Sequence, residues 1–379
     1  MRPPIIIGGG PAGAAAAAVI GAAGEPVTLI ERNAGPSDKV CGDFLSGNAI
    51  AALQNLGVDP FALGAEPLST IRLVHRGAIA ESMLPFPAAG LSRRSLDEAL
   101  LHVAVRRGVL VRRGETVQSV ARTDAGFVIR LGSGKTLAAG SVLLATGKHD
   151  LRGLARPPRA NGLLGLKMYF RLAPDQRAAL QGCIELALLK GGYAGLQLVE
   201  QDRAVLCTLL PAARYRDAGR NWNVLLSELG TENSMLRQRL ADAVPCLPQP
   251  LAIAGTPYGH LHHAQPDAAP EIFRLGDQAC VVPSFAGDGV AIALHSGMMA
   301  ATAWLRGEDA SRYHAEFRRH ARAPLRIASL LHLACQTPAM QPFVASIAHA
   351  WPAALRLAAS LTRVASSGTG TTTMSLRGA

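Results

Sequence analysis

Three consecutive isoleucines run straight into a glycine cluster near the start of this chain: Ile5-Ile6-Ile7-Gly8-Gly9-Gly10-Pro11-Ala12-Gly13. No other segment constrains the fold as strongly. A short, wholly apolar run of this kind reads as a buried strand of a parallel sheet. Pro11 to Ala23 reads as a helix stopped near Gly24, and Pro26 to Glu31 as a second strand, so the chain opens as a βαβ unit. The spacing Gly8-x-Gly10-x-x-Gly13 between strand and helix is the dinucleotide fingerprint. Gly8 permits the tight turn, Gly10 lets backbone approach a pyrophosphate, and Gly13 lets the helix pack close to the strand. Pro11 and Ala12 open the helix, whose partial positive charge faces the phosphates. Glu31 stands 18 residues after Gly13 and ends the second strand, with Arg32 beside it. A carboxylate there accepts hydrogen bonds from ribose hydroxyls. The fingerprint alone does not separate FAD from NAD.

A second glycine-bearing segment lies far downstream: Arg274-Leu275-Gly276-Asp277, followed by Pro283-Ser284-Phe285-Ala286-Gly287-Asp288-Gly289-Val290. Asp277 is expected to project from a strand end. The glycines again let backbone approach a ligand just before a helix, from Gly289 to about Leu305. Asp288 reads either as part of that contact or as a simple N-cap.

Composition narrows the class. The chain has 379 residues and 4% aromatics, which suits a helix-rich α/β protein larger than one compact domain. The net charge of +11 comes mostly from arginines, as in Arg112-Arg113 and Arg318-Arg319. They lack the aromatic interleaving of a nucleic-acid site, so no nucleic-acid partner is expected. Six cysteines form no CxxC pair and no metal-type cluster, and His262-His263 reads as a polar loop, so no metal is expected. Reduced thiols, and a nucleotide-binding strand in place of a signal peptide, point to the cytoplasm.

Further along, 48–57 reads as a helix, 69–87 as short strands and Ser95 to Arg107 as an amphipathic helix. Val109–Val111, Val117–Arg122, Phe127–Leu131 and Ser141–Leu144 read as strands. Residues 160–257 alternate strands and helices, and 308–363 are helical, with no run of the ~20 apolar residues that a bilayer span needs. The expected division is therefore 1–68, 93–157 and 258–307 for the nucleotide fold, interleaved with 69–92 and 158–257 for a substrate domain. Residues 308–365 form C-terminal helices and 366–379 a disordered tail.

The distal segment resembles the second flavin motif of the superfamily that includes the aromatic hydroxylases (group A flavin monooxygenases) and the geranylgeranyl reductases. That resemblance implies FAD, an α/β Rossmann-like FAD-binding domain of glutathione reductase type, and a β-sheet substrate domain. Asp277 would hold the ribityl chain, and backbone from Gly287 to Val290 would face the pyrimidine end of the flavin. Asp38-Lys39-Val40-Cys41-Gly42-Asp43 resembles the Lys-x-Cys-Gly-Glu element of the reductases and some halogenases, with Asp43 where glutamate is commoner. It implies that Lys39, Cys41 and Gly42 lie beside the flavin, where Cys41 tunes it, relays a proton or simply packs. Arg93-x-x-Leu96-Asp97 resembles a helix start whose arginine contacts the cofactor, with Arg94 as competitor. Ala145-Thr146-Gly147 stands where the hydroxylases carry Asp-Gly, and His149 and Asp150 follow as acid–base candidates. Tyr193 keeps one position of the reductases' Tyr-x-Trp-x-Phe-Pro stretch, but Gly195, Gln197 and Leu198 replace the rest, which implies a wider pocket.

The family reading is an enzyme, an FAD-dependent oxidoreductase reduced transiently by NADPH or NADH. Its favoured reaction is hydroxylation of a lipophilic or phenolic small molecule, plausibly in secondary metabolism, through a hydroperoxyflavin. The alternatives are reduction of a carbon–carbon double bond, with Cys41 or a nearby group as proton donor, and flavin binding without turnover; Cys41 and Tyr193 are the candidate catalytic residues. A monomer or homodimer is expected, with peripheral contact to a membrane or carrier protein as a further expectation.

Overall fold

A computed structural model describes residues 2–157, 162–263 and 269–364. The tail expected to be disordered lies outside the described residues. Five parallel strands form the first sheet, in the order Ile272–Arg274, Val142–Leu144, Ile5–Ile7, Thr28–Glu31 and Leu110–Arg113. Ile5–Ile7 and Val142–Leu144 are buried throughout, which explains why they read as unbroken apolar runs rather than alternating ones.

Helix Pro11–Ala22 packs on this sheet, and five consecutive alanines, Ala14 to Ala18, are fully buried in it. Small side chains let neighbouring elements approach its backbone from several sides. A Cβ on Gly297 would meet Ala12 O at 2.2 Å, so helix Gly289–Leu305 crosses it in direct backbone contact. Gly297 lies eight residues beyond Gly289, or about 12 Å of helix rise. That offset sets the two helix starts apart along one groove. Helix Arg93–Arg106 begins two residues before its apolar stripe suggests, because the Ser92 side chain caps it by accepting from Ser95 N.

The second sheet has nine strands. The run Leu163–Arg171, Arg203–Pro211, Gly192–Val199 and Cys183–Leu189 is antiparallel, and Cys183–Leu189 joins the hairpin of Glu66–His75 and Ala78–Gly90 through a parallel pairing. A small three-stranded sheet, Val117–Thr123, Gly126–Leu131 and Thr136–Ala139, flanks the first. Helices Ala310–Gln336, Gln341–Ala350 and Ala353–Leu361 close the chain, and the last two rest on the Glu66–Gly90 hairpin. No helix among the described residues is long and apolar enough to cross a membrane.

Asp277 departs from expectation. The strand ends at Arg274, and Asp277 sits in a 3-10 turn, Gly276–Gln278. Gly276 has φ of +56°, and a Cβ there would stand 3.1 Å from Ala12 Cβ, so the chain bends sharply against the start of helix Pro11–Ala22.

Candidate functional site

A cavity of about 760 Å³ runs from the carboxyl ends of the parallel strands to the face of the second sheet. The glycine cluster forms one end. A Cβ on Gly8 would meet Ala145 O at 2.3 Å, and one on Gly13 would meet Gly8 O at 1.9 Å. These two glycines therefore serve the close approach of strand, helix and Ala145. Gly10 differs: its added Cβ would meet only Arg93 Nη2, at 3.3 Å, and the residue lines the cavity. Glu31 also lines it; Oε2 accepts from Gly9 N at 2.7 Å and Oε1 from Asn33 N at 3.0 Å, which fixes the carboxylate at the strand end.

These residues fit the diphosphate of FAD. Neither helix Pro11–Ala22 nor helix Gly289–Leu305 has a side chain capping its first turn, which leaves N–H donors to a ligand or water. Arg32, Lys39, Arg93 and Lys148 line the same cavity, and Arg32 and Arg93 lie close enough to Lys39 to act on it electrostatically. Burial, helped by Arg32 and Arg93, lowers the Lys39 pKa against the pull of Glu31 and Asp97. Arg93 is oriented by a two-pronged pair with Asp97, at 2.7 and 2.8 Å, while Arg94 turns outward to Asp38 at 3.3 Å. Arg93 is thus the arginine on the cavity wall.

The segment 38–43 crosses the middle of the cavity. Cys41 and Gly42 line it, and Cys41 Sγ accepts from Asp43 N at 3.4 Å. What holds this segment was not evident from the sequence. Asp43, at φ +56°, buries its carboxylate completely. Its Oδ2 accepts from Lys167 Nζ at 2.6 Å and from Tyr169 OH at 2.5 Å. Lys167 Nζ also donates to Lys39 O at 3.0 Å, Gln197 Nε2 to Asp43 O at 3.0 Å, and Lys148 Nζ to Val40 O at 2.8 Å. The loop is therefore bolted to strands Leu163–Arg171 and Gly192–Val199 of the second sheet. One signal did exist: Lys167 and Tyr169 interrupt the apolar run Leu163 to Phe170, and a buried lysine needs a partner.

The far end is mostly apolar. Ile71, Leu84, Ile184, Leu186, Leu209 and Phe285 are among its walls. Tyr193, Gly195 and Gln197 lie on one face of their strand and all reach it. Tyr193 is 4% exposed and packs edge-on to Phe285 with ring centroids 5.3 Å apart, and its hydroxyl faces Ser284 and the Phe285 backbone. Ser284 Oγ also bonds Tyr258 OH at 2.9 Å. Burial pushes the Tyr193 pKa well above its ordinary value, so its phenol stays neutral and able to donate. Gln197 Oε1 is buried without a hydrogen-bond partner among the described residues.

Thr146, Gly147, Gly276, Asp277, Gly287 and Val290 also lie on the cavity wall, whereas Gly13, Pro283 and Asp288 do not. Asp288 stands at the N-cap position of helix Gly289–Leu305, but its side chain makes no cap bond there and it does not line the cavity. Its buried carboxylate accepts from Ser46 Oγ at 3.0 Å, Arg363 Nη1 at 2.9 Å and Val364 N at 2.9 Å, and Arg363 also donates to the carbonyls of Ala286 and Gly287. His149 and Asp150 belong to a turn at the nucleotide end. His149 Nε2 meets Arg32 Nη2 at 2.9 Å, and Asp150 pairs with Arg156 at 2.8 Å, so both are committed to holding that turn. His262 packs on His314, rings 4.6 Å apart, and no group of three or more metal-type side chains occurs among the described residues.

Residues 3–137 match the family model described as an FAD binding domain. With the fold and the two-ended cavity, this match indicates an FAD-dependent oxidoreductase. Among curated proteins it resembles the menaquinone reductase of Mycolicibacterium smegmatis (strain ATCC 700084 / mc(2)155), 25% identical over 298 residues, 74% of this chain and 70% of that protein. Among solved structures it is similar to the flavin-dependent brominase Bmp2 (TM-score 0.78, 18% identity, 95% of this chain and 93% of that one). It is also similar to a flavoprotein/dehydrogenase from Cytophaga hutchinsonii (TM-score 0.79, 16% identity, 95% and 92%). Halogenase PltM, solved with phloroglucinol and FAD, aligns at TM-score 0.70 and 15% identity over 88% and 76%.

Proposed function

We propose that this enzyme hydroxylates a lipophilic small molecule carrying a phenolic or related oxygen, with NADPH or NADH as transient reductant. One observation carries the substrate class: an apolar, buried chamber lined by the Tyr193 phenol and by Gln197, whose carbonyl lacks a partner among the described residues. Buried polar atoms left unpaired cost about 1–3 kcal/mol each. A ligand with a matching hydroxyl or carbonyl removes that cost, whereas a pure hydrocarbon does not. FAD, when bound, supplies hydride acceptance and oxygen activation. The chain's own part is to hold the cofactor between two helix starts, orient the substrate oxygen on Tyr193 and keep water out. A strongly raised Tyr193 pKa suits a group that donates a hydrogen bond and keeps its proton. Hydroxylation needs only that from Tyr193, which is why we prefer it.

The second reading is reduction of a carbon–carbon double bond. Two observations favour it: Cys41 lies on the cavity wall, where a thiol could deliver a proton, and the menaquinone reductase is a relative along 74% of the chain. Oxygen separates the two. Purified protein is expected to oxidise NADPH faster when a substrate phenol or quinone is added, consuming one O₂ per product. Product formed at an undiminished rate under anaerobic conditions sinks hydroxylation and selects reduction. No stimulation by any substrate, with FAD bound, leaves a flavin carrier.

A further inference from the structure

Half of the exposed large apolar side chains among the described residues fall between Leu330 and Leu361. They follow helical spacing. Helix Ala310–Gln336 buries Phe317, Ala321, Leu325, Ala328 and His332. Its outward stripe runs Arg319, Arg322, Arg326, Leu330, Leu333, at intervals of three or four residues, so basic turns pass into apolar ones on one face. Helix Gln341–Ala350 buries only Gln341 and Ala348, and it leaves Phe343 65% and Ile347 57% exposed. Trp351, 55% exposed, links it to helix Ala353–Leu361, which turns Leu357 and Leu361 outward. The inner side of that last helix, at Leu355, Ala358 and Ala359, lines the cavity.

Charge is sorted as sharply as hydropathy. No Asp, Glu, Lys or Arg occurs from Ile327 to Leu355, 29 residues. No Asp or Glu occurs from Phe317 to Val364. The ion pairs that reach this region are Arg312–Glu308 and Arg363–Asp288; Arg319, Arg322, Arg326 and Arg356 enter none among the described residues. A second copy of the chain suits this surface poorly, because a two-fold contact would set unpaired arginines of like charge against one another. A bilayer with anionic headgroups meets both needs: it takes Phe, Ile, Leu and Trp into the headgroup–acyl boundary and pairs the flanking arginines with phosphates. With no span of membrane-crossing length, the helices would lie in the interface plane.

We propose that the C-terminal helices dock this enzyme on an anionic lipid surface. The docking stands on the surface itself. Its purpose, entry of substrate from the bilayer past helix Ala353–Leu361, rests on the lipophilic-substrate reading above. The test is sedimentation of the full FAD-loaded chain with phosphatidylcholine vesicles with and without phosphatidylglycerol, at low and high salt. The wild type is expected to pellet with the anionic vesicles about tenfold more strongly than with neutral ones, and salt is expected to weaken that preference. Phe343→Ser with Ile347→Ser, both outside the cavity wall, should lower binding to either vesicle by about tenfold. Arg322→Glu with Arg326→Glu should abolish the anionic preference. Flavin absorbance and a melting curve show that each variant is folded. A wild type that stays in solution with anionic vesicles at low salt overturns the proposal. So does sedimentation equilibrium showing a dimer that Phe343→Ser/Ile347→Ser dissolves. Salt-sensitive binding to soluble polyglutamate that survives the same two substitutions would assign the surface to an acidic protein instead. None of these readouts uses turnover, so a wrong substrate leaves the docking result standing.

Discussion

The two ends of the cavity are built in opposite ways. At the nucleotide end the walls are built from main chain: glycines at fixed local spacing, the uncapped start of helix Pro11–Ala22 and a few cations. At the substrate end they come from side chains gathered from separate strands and from the C-terminal helices. A backbone-built site tolerates little change at its glycines, because a Cβ on Gly8 or Gly13 meets backbone and one on Gly10 points into the cavity. A side-chain-built site can be reshaped while the fold and the cofactor stay. The Asp43–Lys167–Tyr169 cluster is the seam between them.

Breaking the seam should have the largest effect. Lys167→Met leaves the Asp43 carboxylate buried without its cation, and it should cost about 3–5 kcal/mol in denaturant unfolding. Asp43→Leu combined with Lys167→Met should recover part of that loss. A stability unchanged in the single variant would show that the seam is decorative. Next, Gly10→Val should weaken FAD binding by roughly a hundredfold or more while the protein stays folded, since the added methyls enter the diphosphate end. Full flavin absorbance after gel filtration would refute a main-chain-built nucleotide end. At the other end, Gly195→Trp should retain FAD yet lower kcat/KM for a bulky substrate by roughly tenfold or more, because the new side chain occupies the chamber. Loss of FAD in this variant would mean that the two ends are not separable. Tyr193→Phe should cost about 1 kcal/mol, roughly fivefold, mostly in KM. Smallest of all, Cys41→Ser should change turnover by less than about threefold if the reaction is hydroxylation. A loss of a hundredfold with an altered pH profile would favour reduction instead.

The same division explains what the sequence made legible. Gly8, Gly10, Gly13 and Glu31 sit within one βαβ unit, and the physics of close approach ties residue type to position there. The apolar strands and the helix Gly289–Leu305 were readable for the same local reasons. The helix was recovered with its bounds; the second strand began at Thr28 rather than Pro26. Lys167, Tyr169 and Gln197 act on Asp43 from more than 120 residues away, and only the sheet register brings them there. Asp288 takes the N-cap position that its sequence neighbours suggest, but its carboxylate turns to Arg363 and Val364, some 75 residues later, which no local pattern shows. Asp277 moved off the strand end because Gly276 turns the chain against Ala12, a contact made by packing and not by local pattern.

Asp288 also makes the last helix and the cofactor loop thermodynamically accountable to each other. The carboxylate joins the Gly287–Gly289 bend to the backbone at Val364, and Arg363 grips two carbonyls of the same bend. Linkage is reciprocal, so whatever steadies the bend must disfavour the open form of the terminal turn by the same free energy, and whatever pulls the terminal turn away must loosen the bend. Amide exchange at Thr362 to Val364 would then report on flavin occupancy from outside the pocket. A ligand or surface that tugs on the final helix would, in turn, be felt at the Gly287–Gly289 bend without touching it.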